Sequence, residues 1–204
     1  MSVEDILATA RAVIERESAS IVALVDQLDA HFVDVAQTLR NCQGHVLVTG
    51  VGTSHAVAAR LAHLLTCCGT PALFIHPGDS QHGLSGAVTG RDVLIAISRG
   101  GETTEVNFLA QIARQRGAKV ISLTEKPDST LGKLSDHILR IQAAPDVDPF
   151  GVIAVGSSLT VCAMGDALCV VLLHMRGHSV ESFGETHPGG AVGLMFKDRQ
   201  ASGG

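Results

Sequence analysis

Residues 98–105, SRGGETTE, carry the side chains best suited to chemistry. They follow the apolar run Val93–Ile97 and precede a helical pattern at Val106, Leu109, Ile112 and Ala113. Glycines such as Gly100 and Gly101 let a backbone approach a ligand, and free N–H groups at a helix start attract anions. With hydroxyls at Ser98, Thr103 and Thr104, this turn is suited to a phosphate. A phosphate repels carboxylates, yet Glu102 and Glu105 share the turn, so one of them is a candidate for proton transfer. A second turn of the same kind, GVGTS at residues 50–54, follows the apolar segment 45–49 and opens a helix carrying Val57, Leu61, Leu64 and Leu65. His55 takes the third glycine position of a dinucleotide fingerprint, and segment 72–75 ends in His76 rather than an acid, so NAD is not expected. A nucleotide P-loop is also excluded, because no Lys-Ser/Thr pair is present.

These turns need strands and helices to hold them. Buried strands are expected at 45–49, 72–75, 93–97 and 119–123, with a more polar edge strand at 136–141 and helices in between. Parallel neighbours need crossover helices, so the pattern specifies an α/β fold with a doubly wound parallel sheet. Helices are expected over 2–28 and 29–42, the latter stopped by Gly44. The apolar stripe on the first, Leu7, Ala10, Ile14, Ile21, Leu24 and Leu28, suits a contact with another subunit. Loop 79–90 carries His82, loop 145–150 is acidic and irregular, and a long apolar helix spans 157–175 with Asp166 as a partnered polar residue. The tail 197–204 is expected to be disordered. Residues 1–204 therefore read as one domain with N-terminal helices over 2–42.

At 204 residues and 46% apolar content the chain can fill one sizeable core. A net charge of −5 without a basic cluster argues against nucleic acid. Gly, His, Asp or Arg interrupts each apolar stretch, and the acidic N-terminus lacks a basic leader region, so neither a membrane span nor a signal peptide is expected and the compartment is read as the cytoplasm. The five cysteines lie in helical patterns and read as buried thiols. His76 and His82 lack a third ligand for zinc, so no metal is expected.

The order GVGTS, HPGDSQHG, SRGGETTE, MGDAL and THPGGAVG resembles the sugar isomerase (SIS) domain of the arabinose-5-phosphate isomerase family over residues 45–193. The resemblance implies a three-layer α/β sandwich with a five-stranded parallel sheet, flavodoxin-like or Rossmann-like. It implies a homotetramer, a dimer of dimers, that binds a sugar phosphate without a cofactor. On this resemblance Ser54, Ser98 and Thr103 match phosphate-binding positions, and Gly52, Thr53, His82, Arg99 and Gly100 join them as substrate-binding candidates. Glu105 and His187 match catalytic positions. Asp146 stands where the family has a glutamate, and Thr53 where it has a lysine. The cystathionine-synthase-type regulatory modules that often follow this domain are not expected within the 204 residues.

Aldose–ketose isomerisation moves a proton between C1 and C2 and needs a base, a polariser of the oxygens and a group that opens the ring. Glu105 is the candidate base, and His187 the candidate for ring opening or proton transfer, in its own site or a neighbouring subunit's. Asp146 is the third catalytic candidate. Arg99 and Glu185 could restore the polar balance that the lysine would supply. The alternative to an isomerase is a non-catalytic sugar-phosphate sensor acting through a protein partner. A dehydratase or epimerase using the same enediol is the third reading.

Overall fold

The computed structural model describes residues 1–202, with side chains described for residues 1–196. Five parallel strands, β1 (Val46–Thr49), β2 (Ala72–Phe74), β3 (Val93–Ile97), β4 (Lys119–Thr124) and β5 (His137–Arg140), form one sheet in the order β2-β1-β3-β4-β5. Alternate residues on these strands feed opposite cores, as the two-residue period of a strand requires. Val46, Val48, Val93, Ile95, Ile97, Ile121 and Leu123 enter one cluster, whereas Leu47, Leu94, Ala96 and Val120 enter the other. Nearly every residue of β1, β3 and β4 is buried, which explains their unbroken apolar runs.

Helices close both faces and complete a three-layer α/β sandwich. On the first face lie α1 (Val3–Val22), α2 (Ala30–Arg40) and α3 (Thr53–Cys67), each in contact with the later α7 (Gly156–Arg176). On the second lie α4 (Pro77–Ser80), α5 (Thr104–Gln115) and α6 (Thr130–Leu134). Two further helices, α8 (Val180–Thr186) and α9 (Gly190–Ser202), follow a left-handed Gly177 and pack on each other. Sequence periodicity did not reveal α4, α6, α8 or α9, because the first three are short and α9 has no one-sided apolar stripe.

Several expectations are corrected. The tail read as disordered from residue 197 continues α9 to Ser202, in keeping with its helix-favouring Lys, Arg, Gln and Ala, and residues 203–204 lie outside the described residues. Helix α7 is long and apolar enough to cross a membrane by length and composition. In this fold it is a core helix, with Met164, Leu168 and Leu172 buried and Asp166 held by both terminal nitrogens of Arg60 at 2.7 and 3.0 Å. Of the thiols expected to be buried, Cys169 is fully so; Cys42, Cys67, Cys68 and Cys162 are partly buried. Burial pushes the Cys169 thiol up to about 12, so it stays protonated. Helix α1 ends at Val22, short of the expected residue 28, and the stripe is divided: Leu24 is buried and Ile21 partly buried, while Leu7, Ala10, Ile14 and Leu28 are exposed; beside it Ser20 is buried and bonds Thr160 of α7 at 2.9 Å and the amide of Ala144 at 3.0 Å.

The lower edge of the sheet is fastened by Asp92, just before β3. Its carboxylate accepts the amides of His45 and Thr89 at 2.8 and 2.7 Å and the Thr89 hydroxyl at 2.9 Å. Burial pushes its pKa up, but these three donors outweigh burial and hold it below the usual 3.8. Asp92→Ala leaves two amides without an acceptor and is expected to cost about 3 kcal/mol in a urea titration at neutral pH. Because the folded-state pKa is depressed, that stability is present above the unfolded value near 3.8 and lost as pH falls through the lower folded value. The difference between wild type and variant should therefore shrink in acid.

Candidate functional site

The first four amides of a helix have no acceptor within it. Side chains supply one at most of the helices here. Ser2, Asp29, His76, Ser129 and Ser179 accept at α1, α2, α4, α6 and α8, and Asp148 accepts the Ser157 amide at α7 at 2.9 Å. Among α1–α8, only α3 and α5 start without such an acceptor. Strands β1 and β3, which lead into them, are parallel neighbours with Val46 opposite Val93 and Thr49 opposite Ala96, so both turns leave the same rim. Because α3 crosses to one face and α5 to the other, a crevice opens between them, at the switch point where open α/β sheets bind ligands.

Glycine shapes both turns. Gly52 has φ 61° at the entry to α3, and Gly101 has φ 69° with the Ser129 side chain so close that a Cβ would collide with it. Gly101 donates its amide to Ser98 Oγ at 3.1 Å, and Ser98 Oγ meets Thr103 Oγ1 at 3.0 Å. The Arg99 carbonyl accepts the Glu125 amide and the Thr124 hydroxyl, both at 3.0 Å, which pins the turn to the end of β4. The two acids of the turn have different fates. Glu102 accepts the Thr130 amide at 2.9 Å, which holds its pKa low and commits it to the start of α6. Glu105, half-buried in the first turn of α5, has no hydrogen-bond or ion-pair partner among the described residues.

Beside this rim, on the α7 side, is a small cleft of about 50 Å³ that opens to solvent. Thr53, Ser54, Arg99, Glu125 and Ser157 line it together with the apolar side chains of Val57, Ile97 and Leu123. Arg99 Nη1 donates to Asp148 Oδ2 at 2.7 Å, and its Nε lies 3.0 Å from Glu125 Oε1. Burial pushes Asp148 up, but the Ser157 amide and the Arg99 guanidinium outweigh it and hold the carboxyl below the usual range.

Gly52, Thr53, Ser54, Ser98, Arg99, Gly100, Thr103 and Glu105 thus stand on the turns and helix starts that follow two adjacent strands; Thr53, Ser54 and Arg99 line the cleft, and Ser98, Thr103 and Glu105 do not. His82 lies on the exposed loop after α4, beyond the neighbouring strand β2. Two other candidates are placed elsewhere. Asp146 is exposed and does not line the cleft; its neighbour Asp148, two residues on, turns inward instead. His187 caps the end of α8 against Cys67, at the opposite end of α3 from Thr53, roughly 20 Å away at the usual helical rise. Its Nδ1–H donates to the Phe183 carbonyl at 2.9 Å, its ring stacks on Phe183, and Nε2 lies 3.6 Å from Cys67 Sγ. Glu125 was missed, since a lone acid at a strand end has no sequence signal. Among the described residues no group of three or more His, Cys, Asp or Glu side chains converges as a metal site.

The family model for the SIS domain matches residues 38–171. Arabinose 5-phosphate isomerase KdsD of Salmonella typhi is 35% identical over 181 residues, covering 89% of this chain and 55% of that protein, so the chain spans about half the length of the curated relatives it matches. Among solved structures, a Listeria monocytogenes protein described as a candidate sugar-phosphate isomerase superposes with TM-score 0.89 at 32% identity, covering 93% of this chain and all of that one. An Escherichia coli protein solved in complex with arabinose 5-phosphate gives TM-score 0.88 at 30% identity, covering 92% of this chain and 100% of the other. Fold, rim geometry and these matches agree: the chain belongs to the SIS domain family.

Proposed function

We propose that the protein is a sugar-phosphate isomerase that interconverts a ketose phosphate and its aldose partner, with arabinose 5-phosphate chemistry the first to test because of the relatives' names. The observation that carries this reading is the pair of uncapped helix starts, α3 and α5, facing one crevice with an uncommitted carboxylate at Glu105. The amides of both starts and the hydroxyls of Ser54, Ser98 and Thr103 hold the phosphate. Anchoring that end orients the reacting carbons, so that binding energy far from the chemistry lowers the barrier. Glu105 takes the proton from one carbon of the C1–C2 pair and returns it to the other, while one proton passes between the two oxygens so that the intermediate is an enediol and the carbonyl changes place.

His187 belongs to the same proposal as a group delivered from a neighbouring subunit, since in its own chain it lies at the far end of α3. A homotetramer, a dimer of dimers, would supply it and would cover the exposed apolar residues Ile6, Leu7 and Ile14 of α1. A sensor is the second reading, favoured by one feature: Arg99, the cation that lines the cleft, is already shared by two carboxylates, and Thr53 brings no charge.

Incubating sugar phosphates with the protein in deuterated water distinguishes the two, because an isomerase incorporates deuterium at C1 or C2 and a sensor does not. Glu105→Gln is expected to slow that exchange on the order of a thousandfold with substrate binding kept. Gly101→Ala should instead abolish binding of inorganic phosphate, read by calorimetry, because the new Cβ drives the turn away from Ser129. If His187 acts in trans, mixing inactive Glu105→Gln and inactive His187→Ala subunits restores part of the activity; an inactive mixture rules out delivery in trans, and a fully active His187→Ala variant places His187 outside the reaction.

A further inference from the structure

The cleft holds a set of charged groups that the phosphate site and the base do not use. Asp148 is its fixed member: its side chain is 1% exposed, one oxygen is taken by the Ser157 amide and the other by Arg99 Nη1. It therefore holds the guanidinium in place and ties it to the first turn of α7. Glu125, at 20% side-chain exposure, approaches the other side of the guanidinium through Oε1. Two polar groups of this set remain without a partner among the described residues, Arg99 Nη2 and Glu125 Oε2. One is a donor only and the other an acceptor only. They belong to two side chains held 3.0 Å apart, and the apolar side chains of Val57, Ile97 and Leu123 line the same cleft.

We propose that Arg99 Nη2 and Glu125 Oε2 form a subsite that reads two neighbouring hydroxyls of the bound sugar's carbon chain. One hydroxyl accepts from Nη2–H and the other donates to Oε2, while the C–H face of the chain packs on the apolar wall. Asp148 is a positioning residue for this subsite: it touches Arg99, not the ligand. The subsite rests on the reading that the cleft takes a phosphorylated sugar, and it narrows that class to esters with an unmodified vicinal diol beyond the phosphate. Here Arg99 serves the hydroxyl chain rather than the phosphate, because the two carboxylates already offset its charge.

The Arg99 and Glu125 side chains are 43% and 20% exposed, and a bound sugar would cover them; loss of a hydroxyl from it then leaves a covered donor or acceptor unpaired, and sites built to bond a hydroxyl discriminate strongly against analogues that lack it. The test is calorimetric titration of the wild type with an aldopentose 5-phosphate, its monodeoxy derivatives and inorganic phosphate. At least one monodeoxy derivative is expected to bind about tenfold or more weaker than the parent. In Glu125→Ala and in Arg99→Gln that ratio should fall to roughly threefold or less, while Glu125→Ala keeps its affinity for inorganic phosphate. Asp148→Asn should weaken parent and deoxy ligand unequally through the misplaced guanidinium. Thermal unfolding checks that each variant folds, and Glu125→Gln stands in if Arg99→Gln does not. Undiminished discrimination in the Glu125 variants, or none in the wild type, overturns the subsite and leaves the phosphate reading intact. A wild type that binds no phosphate ester overturns the phosphate reading as well.

Discussion

A helix cannot satisfy its own first amides, and this constraint organises the functional end of the molecule. Six of the first eight helices take an acceptor from a side chain, so their positive ends are internally balanced. The remaining two, α3 and α5, leave the adjacent parallel strands β1 and β3 for opposite faces of the sheet. Unbalanced amides therefore collect at one crevice, which gives a chain of net charge −5 a local positive potential without a lysine in either turn.

The acids around that crevice are sorted by partner rather than by type. Glu102 is bound to α6, Asp148 to Arg99 and α7, and Glu125 to one side of the guanidinium, while Glu105 has no partner among the described residues. A carboxylate fixed by donors is a poor base because its charged form is stabilised. The free one can accept a proton. This sorting is what distinguishes Glu105 from its neighbours, since all four lie at the same end of the sheet.

The sheet was legible from the sequence because buried parallel strands leave continuous apolar runs, and Val93–Ile97 is the clearest of them. Both glycine turns were legible for the related reason that strand, Gly turn and helix must follow in that order. What could not be read is what depends on distance across the chain. Loop 145–150 shows two acids two residues apart, and only the approach of Arg99 and of the Ser157 amide decides that Asp148 rather than Asp146 turns inward. Glu125 meets Arg99 because β4 lies beside β3, a long-range relation that no local pattern encodes. His187 follows an irregular turn whose motif gives its type but not its place, and the fold puts it beside Cys67.

Both apolar clusters are sealed on the two faces of the sheet, and Glu105, Arg99 and Glu125 stand on turns and helix starts outside them. None of these three side chains belongs to either cluster, so the architecture puts the polar groups of the rim and the packing of the core on different residues. Residues at the rim can drift while the scaffold beneath them is inherited unchanged, a division of labour that gives a single sheet order room for evolutionary diversification.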